Sequence, residues 1–268
     1  MNKIKNIKCF IFDMDGTIYH DNNLIDGSLE LINYLKEKKI DYYFLTNNSS
    51  KNTKEYLIKL KSLGIPATNS NIITSGTATI QYLNSIKPQA NLFIVGTNSL
   101  KKQFSDSGFL VKENPKEKID YLVVGYDTEL TYQKLVDAVY LLSKNVKYIA
   151  THPDLLYPAK DNLYYPDCGL FTYMLKVATG RKPLVIGKPE KAIFESIIFE
   201  KGYKKTEVMM LGDRLYTDIK GALNANILAG LVLTGETKEK DLEKTTYKPT
   251  YVFNSIKDLY LFLKENKD

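Results

Sequence analysis

The sequence is poor in the residue types on which disulfide-bonded and histidine-rich metal proteins depend. Its 268 residues include only two cysteines, Cys9 and Cys168, and two histidines, His20 and His152. Two cysteines form neither a disulfide framework nor a zinc pattern, and two histidines exclude a histidine-rich metal site. Cys9 lies inside an apolar run, so we expect it to be a small buried side chain.

Arginine is also scarce, because Arg181 and Arg214 are the only arginines in a chain whose net charge is +6. Proteins that read nucleic acids usually use arginine for bidentate contacts to phosphates and bases. The lysines that supply the charge are spread along the chain. We therefore expect no nucleic-acid partner, while the positive charge favours mild attraction of anionic substrates.

Long apolar runs are missing too. No stretch approaches the roughly 20 residues that a membrane-spanning helix requires, and residues 1–5 lead straight into the first predicted strand without room for a signal peptide. We expect a cytoplasmic protein that does not associate with membranes. The length suits one large domain, or a core with a smaller second domain.

What the sequence does contain is a regular alternation of predicted strands and helices. The predicted strands lie at residues 7–12, 41–45, 72–75, 91–96, 121–125, 147–151, 184–187, 207–212, 227–233 and 250–253. Helical patterns separate most of them, and Ser28 is predicted to cap the first helix. This alternation predicts an α/β fold with parallel strands and crossover helices. The segment between His152 and Gly169 is predicted to be a long loop, of the kind that is often functional.

Polar residues follow several of the predicted buried strands. Asp13 and Asp15 come after the first strand, Thr46 and Asn47 after the second, and Asp213 after residues 207–212. Ligands of open parallel sheets bind outside the carboxyl ends of the strands, which would bring these side chains together. Ordinary polar loops would give the same pattern, so the residues alone leave both interpretations open.

Four segments resemble the motifs of the haloacid dehalogenase (HAD) superfamily, in the order found there. They are Asp13-Met14-Asp15-Gly16-Thr17, Leu45-Thr46-Asn47-Asn48-Ser49-Ser50, Gly187-Lys188-Pro189 and Gly212-Asp213-Arg214-Leu215-Tyr216-Thr217-Asp218. The last is similar to the form in the NagD/4-nitrophenylphosphatase-like subfamily. The resemblance covers essentially the whole chain. It implies a Rossmann-like parallel-sheet core at residues 1–78 and 183–268, with an inserted α/β cap at residues 79–182.

The resemblance also implies roles for the acidic residues. Asp13 would be the nucleophile that forms an aspartyl-phosphate, and Asp15 would be the general acid–base. Asp13, the backbone carbonyl of Asp15, Asp213 and Asp218 would hold Mg²⁺, with Asp218 bound directly or through water. Mg²⁺ prefers such oxygen ligands and commonly bridges carboxylates to a phosphate.

Phosphate binding is implied for Thr46, the backbone of Asn47, Asn48 and Lys188, with a small phosphorylated metabolite as the partner. The cap would cover the site and select the substrate. We expect the selection to involve Pro166-Asp167-Cys168-Gly169, where relatives commonly have small residues. Asp167 and Cys168 depart from that pattern, and Cys168 fits a packed thiol as well as a substrate contact.

The predicted activity is Mg²⁺-dependent hydrolysis of small phosphate monoesters, such as 4-nitrophenyl, nucleotide or sugar phosphates. A phosphomutase or phosphotransferase that uses the same aspartyl-phosphate is an alternative. Dehalogenation is disfavoured because that chemistry does not need Asp15. A non-catalytic binding protein switched by phosphorylation is disfavoured by Thr17, Lys188 and the predicted cap. The sequence is compatible with a monomer or a homodimer.

Overall fold

The computed structural model describes residues 3–158 and 163–267. Contacts between Cα atoms divide the chain into two compact units. The first unit comprises Met1–Thr46, Lys54–Ile73 and Lys188–Asp268, and the second comprises Asn47–Thr53 and Thr74–Gly187. The chain therefore passes from one unit to the other several times.

The elements of both units follow in chain order. The first segments contain β1 (Cys9–Phe12), β2 (Tyr19–His20), β3 (Asn23–Leu24), α1 (Ser28–Glu37), β4 (Asp41–Thr46), α2 (Thr53–Ser62) and β5 (Ile72–Thr74). The next stretch contains α3 (Ser75–Ile86), β6 (Asn91–Val95), α4 (Asn98–Asp106), β7 (Leu110–Val111), β8 (Tyr121–Val124), α5 (Tyr132–Ser143), β9 (Lys147–Ala150), β10 (Leu156–Pro158), β11 (Tyr164–Pro166), α6 (Cys168–Thr179) and β12 (Leu184–Val185). The last stretch contains α7 (Ala192–Lys201), β13 (Val208–Gly212), α8 (Lys220–Ala225), β14 (Leu228–Val232), α9 (Asp241–Lys244), β15 (Tyr251–Phe253) and α10 (Ile256–Lys267).

The first unit is built on a six-stranded sheet with the strand order β15-β14-β13-β1-β4-β5. The strand β1 pairs in parallel with β13 and β4, and β14 pairs in parallel with β13 and β15. The chain runs outward from β1 on one side and from β13 on the other, so the strand order reverses between these two strands. Ligand sites of open α/β sheets lie at such a switch point. The predicted α/β class is confirmed.

Strand β1 is a fully buried, central strand of this sheet. All four of its residues are inaccessible to solvent, as expected for a central strand of a parallel sheet that is covered on both faces. Phe10 stacks on Phe12 with ring centroids 5.9 Å apart, and Phe12 packs against Phe44 at 6.3 Å. Burial raises the pKa of Cys9 to about 12, which keeps the thiol neutral. The prediction that Cys9 is a small core side chain is confirmed.

The prediction that Ser28 caps α1 is wrong. Ser28 is the first residue of the helix, and Gly27 occupies the capping position. The Ser28 hydroxyl donates instead to the buried carbonyl of Ile18 at 3.0 Å. Gly27 has a φ of +86°, and a Cβ at this position would lie 2.5 Å from the Cα of Lys257. Glycine is therefore required here by both the backbone conformation and the close approach of α10.

The second unit is built on a five-stranded parallel sheet with the order β12-β9-β8-β6-β7. The sequence-based boundary at residue 183 grouped Leu184 and Val185 with the core segments. The register Leu184↔Ile149 places them in the second sheet instead. A short apolar strand looks the same in either sheet, because each offers it a buried parallel partner.

The predicted long loop between His152 and Gly169 contains two short strands, β10 and β11, which pair antiparallel with the register Leu156↔Pro166. Residues 159–162 lie outside the described residues. Prolines obscured these strands in the sequence, because Pro158 and Pro166 occupy strand ends, where a missing backbone donor is tolerated. None of the described helices has the length and apolar character needed to cross a membrane. The cytoplasmic location stays a prediction.

The buried aromatic stack of the first sheet generates a stability prediction. Phe10→Ala should lower the free energy of unfolding by about 3–5 kcal/mol, because it leaves a cavity in the place of a fully buried ring. Ile58→Ala is the control, since Ile58 is 69% exposed on α2 and should change stability by less than about 0.5 kcal/mol. Urea unfolding followed by circular dichroism measures both. Equal effects of the two substitutions would contradict this assignment of the core.

Candidate active site

The switch point of the first sheet carries two aspartates at the end of β1. Asp13 follows the strand directly, and its backbone N–H donates to Leu211 of β13 at 2.8 Å, which extends the pairing by one residue. The chain then turns sharply, with the N–H of Gly16 donating to the carbonyl of Tyr19 at 2.9 Å. Gly16 has a φ of +87°, a conformation that other residues adopt only with strain. The turn leaves the Asp15 side chain partly accessible to solvent, with 29% of it exposed.

A third aspartate, Asp213, is held at the end of β13 by close backbone contacts. One carboxylate oxygen of Asp213, Oδ2, accepts a 2.7 Å hydrogen bond from the N–H of Glu236. A Cβ on Gly16 would lie 2.7 Å from this oxygen, and a Cβ on Gly235 would lie 1.9 Å from it. Two glycines therefore leave just enough space for the carboxylate. The other oxygen, Oδ1, is buried and has no hydrogen-bond partner among the described residues.

A fourth aspartate, Asp218, lies on an unusual turn after β13. Residues Leu215–Ile219 form one turn of π-helix before α8, and Asp218 lies within it. Its carboxylate accepts from the N–H of Arg214 at 3.1 Å and is fully buried. A Cβ on Gly212 would lie 2.3 Å from the Cγ of Asp218. Glycine at the strand end thus permits the return of Asp218 towards the sheet, and π-turns of this kind are frequent at functional sites.

A buried lysine joins two of these carboxylates. The ammonium group of Lys188 lies 2.5 Å from Asp13 Oδ1 and 2.6 Å from Asp218 Oδ1, and it donates to the carbonyl of Leu45 at 3.2 Å. The residue is 1% exposed. Burial alone would lower the pKa of Lys188, but the Asp13 and Asp218 carboxylates raise it above its ordinary value. The lysine is therefore a permanent cation in the site.

The carboxylates outnumber the cation that neutralises them. Burial raises the pKa of Asp13 well above its usual range; Asp218 and Asp213 add to this effect, and Lys188 opposes it. Burial and the Asp218 charge raise the pKa of Asp213 to about 6. When all three aspartates are ionised, three negative charges face one ammonium group and leave an excess of two. Such an excess in a buried site is costly unless a cation balances it.

The donor atoms fit a hard divalent cation. Asp13, Asp213 and Asp218 each offer a carboxylate oxygen, and these oxygens lie within 4.8 Å of one another. The set contains oxygen donors only, which is the preference of Mg²⁺ and Ca²⁺. The buried Oδ1 of Asp213 lacks a protein donor among the described residues, while Oδ2 is fixed by Glu236. One oxygen of Asp213 is therefore oriented by the protein and the other is left for a ligand.

A lysine that no sequence pattern predicted lies beside Asp15. Lys59 of α2 places its ammonium group 3.7 Å from the centre of the Tyr19 ring and 4.0 Å from Asp15 Oδ1. The backbone N–H of Glu236, which donates to Asp213 and orients it, was likewise not predicted. Both contacts join residues that are far apart in the chain, so they produce no periodic pattern in the sequence.

The predicted phosphate-binding residues are divided between the two units. Thr46 ends β4 in the first unit and is 5% exposed. Asn47 and Asn48 follow it and belong to the second unit. Asn48 Oδ1 accepts from the N–H of Ser50 at 2.9 Å and from its hydroxyl at 2.7 Å, which forms a local turn. Lys188 lies in the first unit, as described above.

Within the second unit, three residues of the segment predicted to select substrate are buried, namely Asp167, Cys168 and Gly169, whereas Pro166 is exposed. Asp167 caps α6, with its carboxylate accepting from the N–H of Cys168 at 2.6 Å. Cys168 is fully buried, its thiol donates to the carbonyl of Val124 at 3.3 Å, and burial raises its pKa above the ordinary value. Cys168 is therefore a packed neutral thiol. His152 is buried between Asp154 and Asp167.

The first unit is thus an α/β domain of the doubly wound class, with an acidic site at its switch point. The haloacid dehalogenase-like hydrolase profile matches residues 10–110, and a HAD-hydrolase-like profile matches residues 185–259. The chain belongs to the haloacid dehalogenase-like hydrolase family. The sequence-based resemblance to the NagD/4-nitrophenylphosphatase-like group is confirmed by the relatives described next.

Relatives of known name cover nearly the whole chain. An acid sugar phosphatase from Staphylococcus saprophyticus is 35% identical over 262 residues, which are 98% of this chain and 99% of the relative. A crystal structure of 4-nitrophenylphosphatase from Thermotoga maritima is 40% identical, covers 97% of this chain and 98% of its own, and has a TM-score of 0.93. A glycerol phosphate phosphatase from Mycobacterium tuberculosis, in complex with magnesium, is 26% identical, covers 96% of this chain and 77% of its own, and has a TM-score of 0.88.

The position of Lys188 generates a stability prediction. In EDTA, Lys188→Met should lower the free energy of unfolding by about 3–5 kcal/mol, because it leaves two buried carboxylates without their shared cation. Lys191→Met is the matched control: Lys191 is 63% exposed and pairs with Glu195 at the surface, where a pair contributes less than about 1 kcal/mol. Urea unfolding compares the two variants. A loss at Lys188 no larger than that at Lys191 would show that the buried pairs are not stabilising.

Proposed function

We propose that this protein is a Mg²⁺-dependent phosphatase that hydrolyses small phosphate monoesters through an aspartyl-phosphate on Asp13. The observation that carries the proposal is the site at the sheet's switch point, where Asp13 contacts Lys188 and shares a buried cluster with Asp213 and Asp218. The names of its relatives support this reaction class, since they include an acid sugar phosphatase and a 4-nitrophenylphosphatase.

In the first step, a carboxylate oxygen of Asp13 attacks the phosphorus atom and the bond to the ester oxygen breaks. This divides one difficult hydrolysis into two easier displacements. Lys188, held 2.5 Å from Asp13 Oδ1, keeps positive charge beside the transferring phosphoryl group throughout. Its burial restricts it to this position, so little reorganisation is needed during the reaction.

Asp15 acts in both steps. As a carboxylic acid it gives a proton to the leaving alcohol, and as a carboxylate it then takes a proton from the water that attacks the phosphorus atom of the aspartyl-phosphate. The second attack breaks the bond to Asp13 and releases inorganic phosphate. Partial exposure of Asp15 suits this exchange with water, in contrast to the buried Asp213 and Asp218.

Asp13, Asp213 and Asp218 would hold Mg²⁺, together with the backbone carbonyl of Asp15. When bound, Mg²⁺ supplies the positive charge that offsets repulsion between the carboxylates and the phosphate. The excess of two negative charges in the cluster and the unpartnered Oδ1 of Asp213 support this assignment. Lys188 holds the Asp218 carboxylate by a direct ion pair, which suits contact of Asp218 with the metal through water.

We further propose that the first unit is the catalytic core and the second unit is the cap that selects the substrate. The long segment of the second unit, Thr74–Gly187, starts after the second motif, ends on the first residue of the third motif and contains the predicted cap at residues 79–182. Thr46, Asn47 and Asn48 would bind the phosphate group. Sugar phosphates and 4-nitrophenyl phosphate are the first substrates to test, because relatives are named for them.

The nucleophile assignment is tested by turnover of 4-nitrophenyl phosphate. The wild-type protein should turn over with Mg²⁺ and stop in EDTA, and Asp13→Asn should reduce kcat by at least about 1,000-fold because an amide is a poor nucleophile. Asp21→Asn is a control outside the proposed site. Release of 4-nitrophenolate is followed by absorbance. Turnover of Asp13→Asn close to that of wild type would rule out Asp13 as the nucleophile.

The metal assignment is tested without any activity measurement. Mg²⁺ should raise the melting temperature of the wild-type protein, and by more at higher Mg²⁺ concentration, because it binds the folded state. Asp213→Asn should abolish most of this rise. Asp26→Asn is the matched control, because Asp26 is 71% exposed and pairs only with Lys257 in the described contacts. Differential scanning fluorimetry over a Mg²⁺ titration measures the shift. An equal shift in wild type and Asp213→Asn would contradict the ligand assignment.

A further inference from the structure

The turn that joins β1 to β2 carries Asp15 near its start and Tyr19 at its end. Backbone hydrogen bonds close this turn, because the carbonyl of Met14 accepts from the N–H of Ile18 at 2.9 Å and from that of Tyr19 at 3.2 Å. The Tyr19 side chain is fully buried. These bonds fix the backbone of the turn, but they do not determine where the partly exposed carboxyl group of Asp15 points.

A lysine of α2 contacts both residues of the turn. The ammonium group of Lys59 lies 3.7 Å from the centre of the Tyr19 ring and 4.0 Å from Asp15 Oδ1, and all three residues belong to the first unit. Tyr56 and Leu60 bury the face of α2 on either side of Lys59 in the sequence. The Lys59 side chain is 22% exposed, so both contacts are partly withdrawn from water, where attraction between a cation and a ring or a carboxylate is stronger.

The two contacts of Lys59 differ in kind. The buried ring of Tyr19 gives the ammonium group a fixed place to rest. From there the ammonium group attracts Oδ1 of Asp15 through its charge, since 4.0 Å is longer than a hydrogen bond. A cation beside Oδ1 repels a proton on that oxygen, so the other oxygen, Oδ2, is the one that would carry the proton. Lys188 pairs with two other aspartates, so the two lysines contact different carboxyl groups.

We propose that Lys59 is a positioning residue for the acid–base: anchored on the Tyr19 ring, its ammonium group holds Oδ1 of Asp15 so that Oδ2 carries out the proton transfers. The inference rests on the proposed function, because it requires Asp15 to exchange protons with the leaving alcohol and with water. Lys59 itself forms and breaks no bond in this role. Its loss should therefore slow only those steps in which Asp15 moves a proton.

Two substrates that differ in their leaving group test this inference. 4-Nitrophenolate leaves with little help from an acid, whereas phenolate is a stronger base and gains more from a proton. The value of kcat/KM reports the steps up to the departure of this group. Lys59→Met removes the charge and should lower kcat/KM about tenfold for phenyl phosphate but less than about twofold for 4-nitrophenyl phosphate. Lys59→Arg should restore phenyl phosphate to within about threefold of wild type, because a guanidinium group also stacks on an aromatic ring.

Two further variants complete the design. Lys61→Met is the matched control, because Lys61 is exposed on the same helix and should leave both kcat/KM values within about twofold of wild type. In a protein that already carries Asp15→Asn, Lys59→Met should lower kcat/KM for phenyl phosphate by less than about twofold, because the acid that it positions is gone.

A purely structural role for Lys59 gives a different result. Partial unfolding would lower kcat/KM by the same factor for both substrates, through a smaller active fraction. That outcome, an unchanged value for phenyl phosphate in Lys59→Met, or an undiminished loss in the Asp15→Asn protein would overturn the inference. Lys59→Gln replaces Lys59→Met if the latter does not fold. A wild-type protein inactive on both substrates would contradict the proposed function, whereas an active wild type with equal losses would contradict only the role of Lys59.

Discussion

The first unit depends on the buried ion pairs of Lys188 with Asp13 and Asp218. Two carboxylates can remain at the end of a buried sheet only because one ammonium group is shared between them. When Asp213 is ionised as well, the three carboxylates carry two more negative charges than Lys188 neutralises. A divalent cation would balance this excess.

Glycines allow the backbone to pass close to the buried carboxylates of this cluster. Gly16 and Gly235 leave space for the Asp213 carboxylate, and Gly212 leaves space for Asp218 on its π-turn. Each of these positions would bring a Cβ into a carboxylate, so the glycines are needed for the close approach of backbone and charge. In the second unit, a Cβ on Gly169 would lie 2.2 Å from the carbonyl oxygen of Pro153, and a Cβ on Gly187 would lie 2.6 Å from the amide oxygen of Asn47.

Much of the fold was predictable, because buried parallel strands leave continuous apolar runs and their carboxyl ends share one edge. That reasoning brought Asp13 and Asp213 together. It misplaced Leu184 and Val185, since a short strand fits either sheet, and it missed β10 and β11, whose prolines resemble loop residues. Lys59 and the Glu236 amide were invisible because a contact across the fold is set by packing, which no local pattern encodes. The roles of the site residues rested on resemblance throughout.

In the proposed reaction, Asp13 carries the phosphoryl group. In Asp15→Asn, 4-nitrophenolate should still leave, because it needs little help from an acid, but the aspartyl-phosphate should persist without a base to activate water. Acid-quenched Asp15→Asn, mixed with 4-nitrophenyl phosphate and Mg²⁺, is digested and analysed by mass spectrometry. We expect one phosphoryl group on the peptide that contains Asp13, and none in the double variant that also carries Asp13→Asn. Phosphorylation of any other residue, or an unmodified Asp13 in a protein that releases a stoichiometric burst of 4-nitrophenolate, would contradict the proposed reaction.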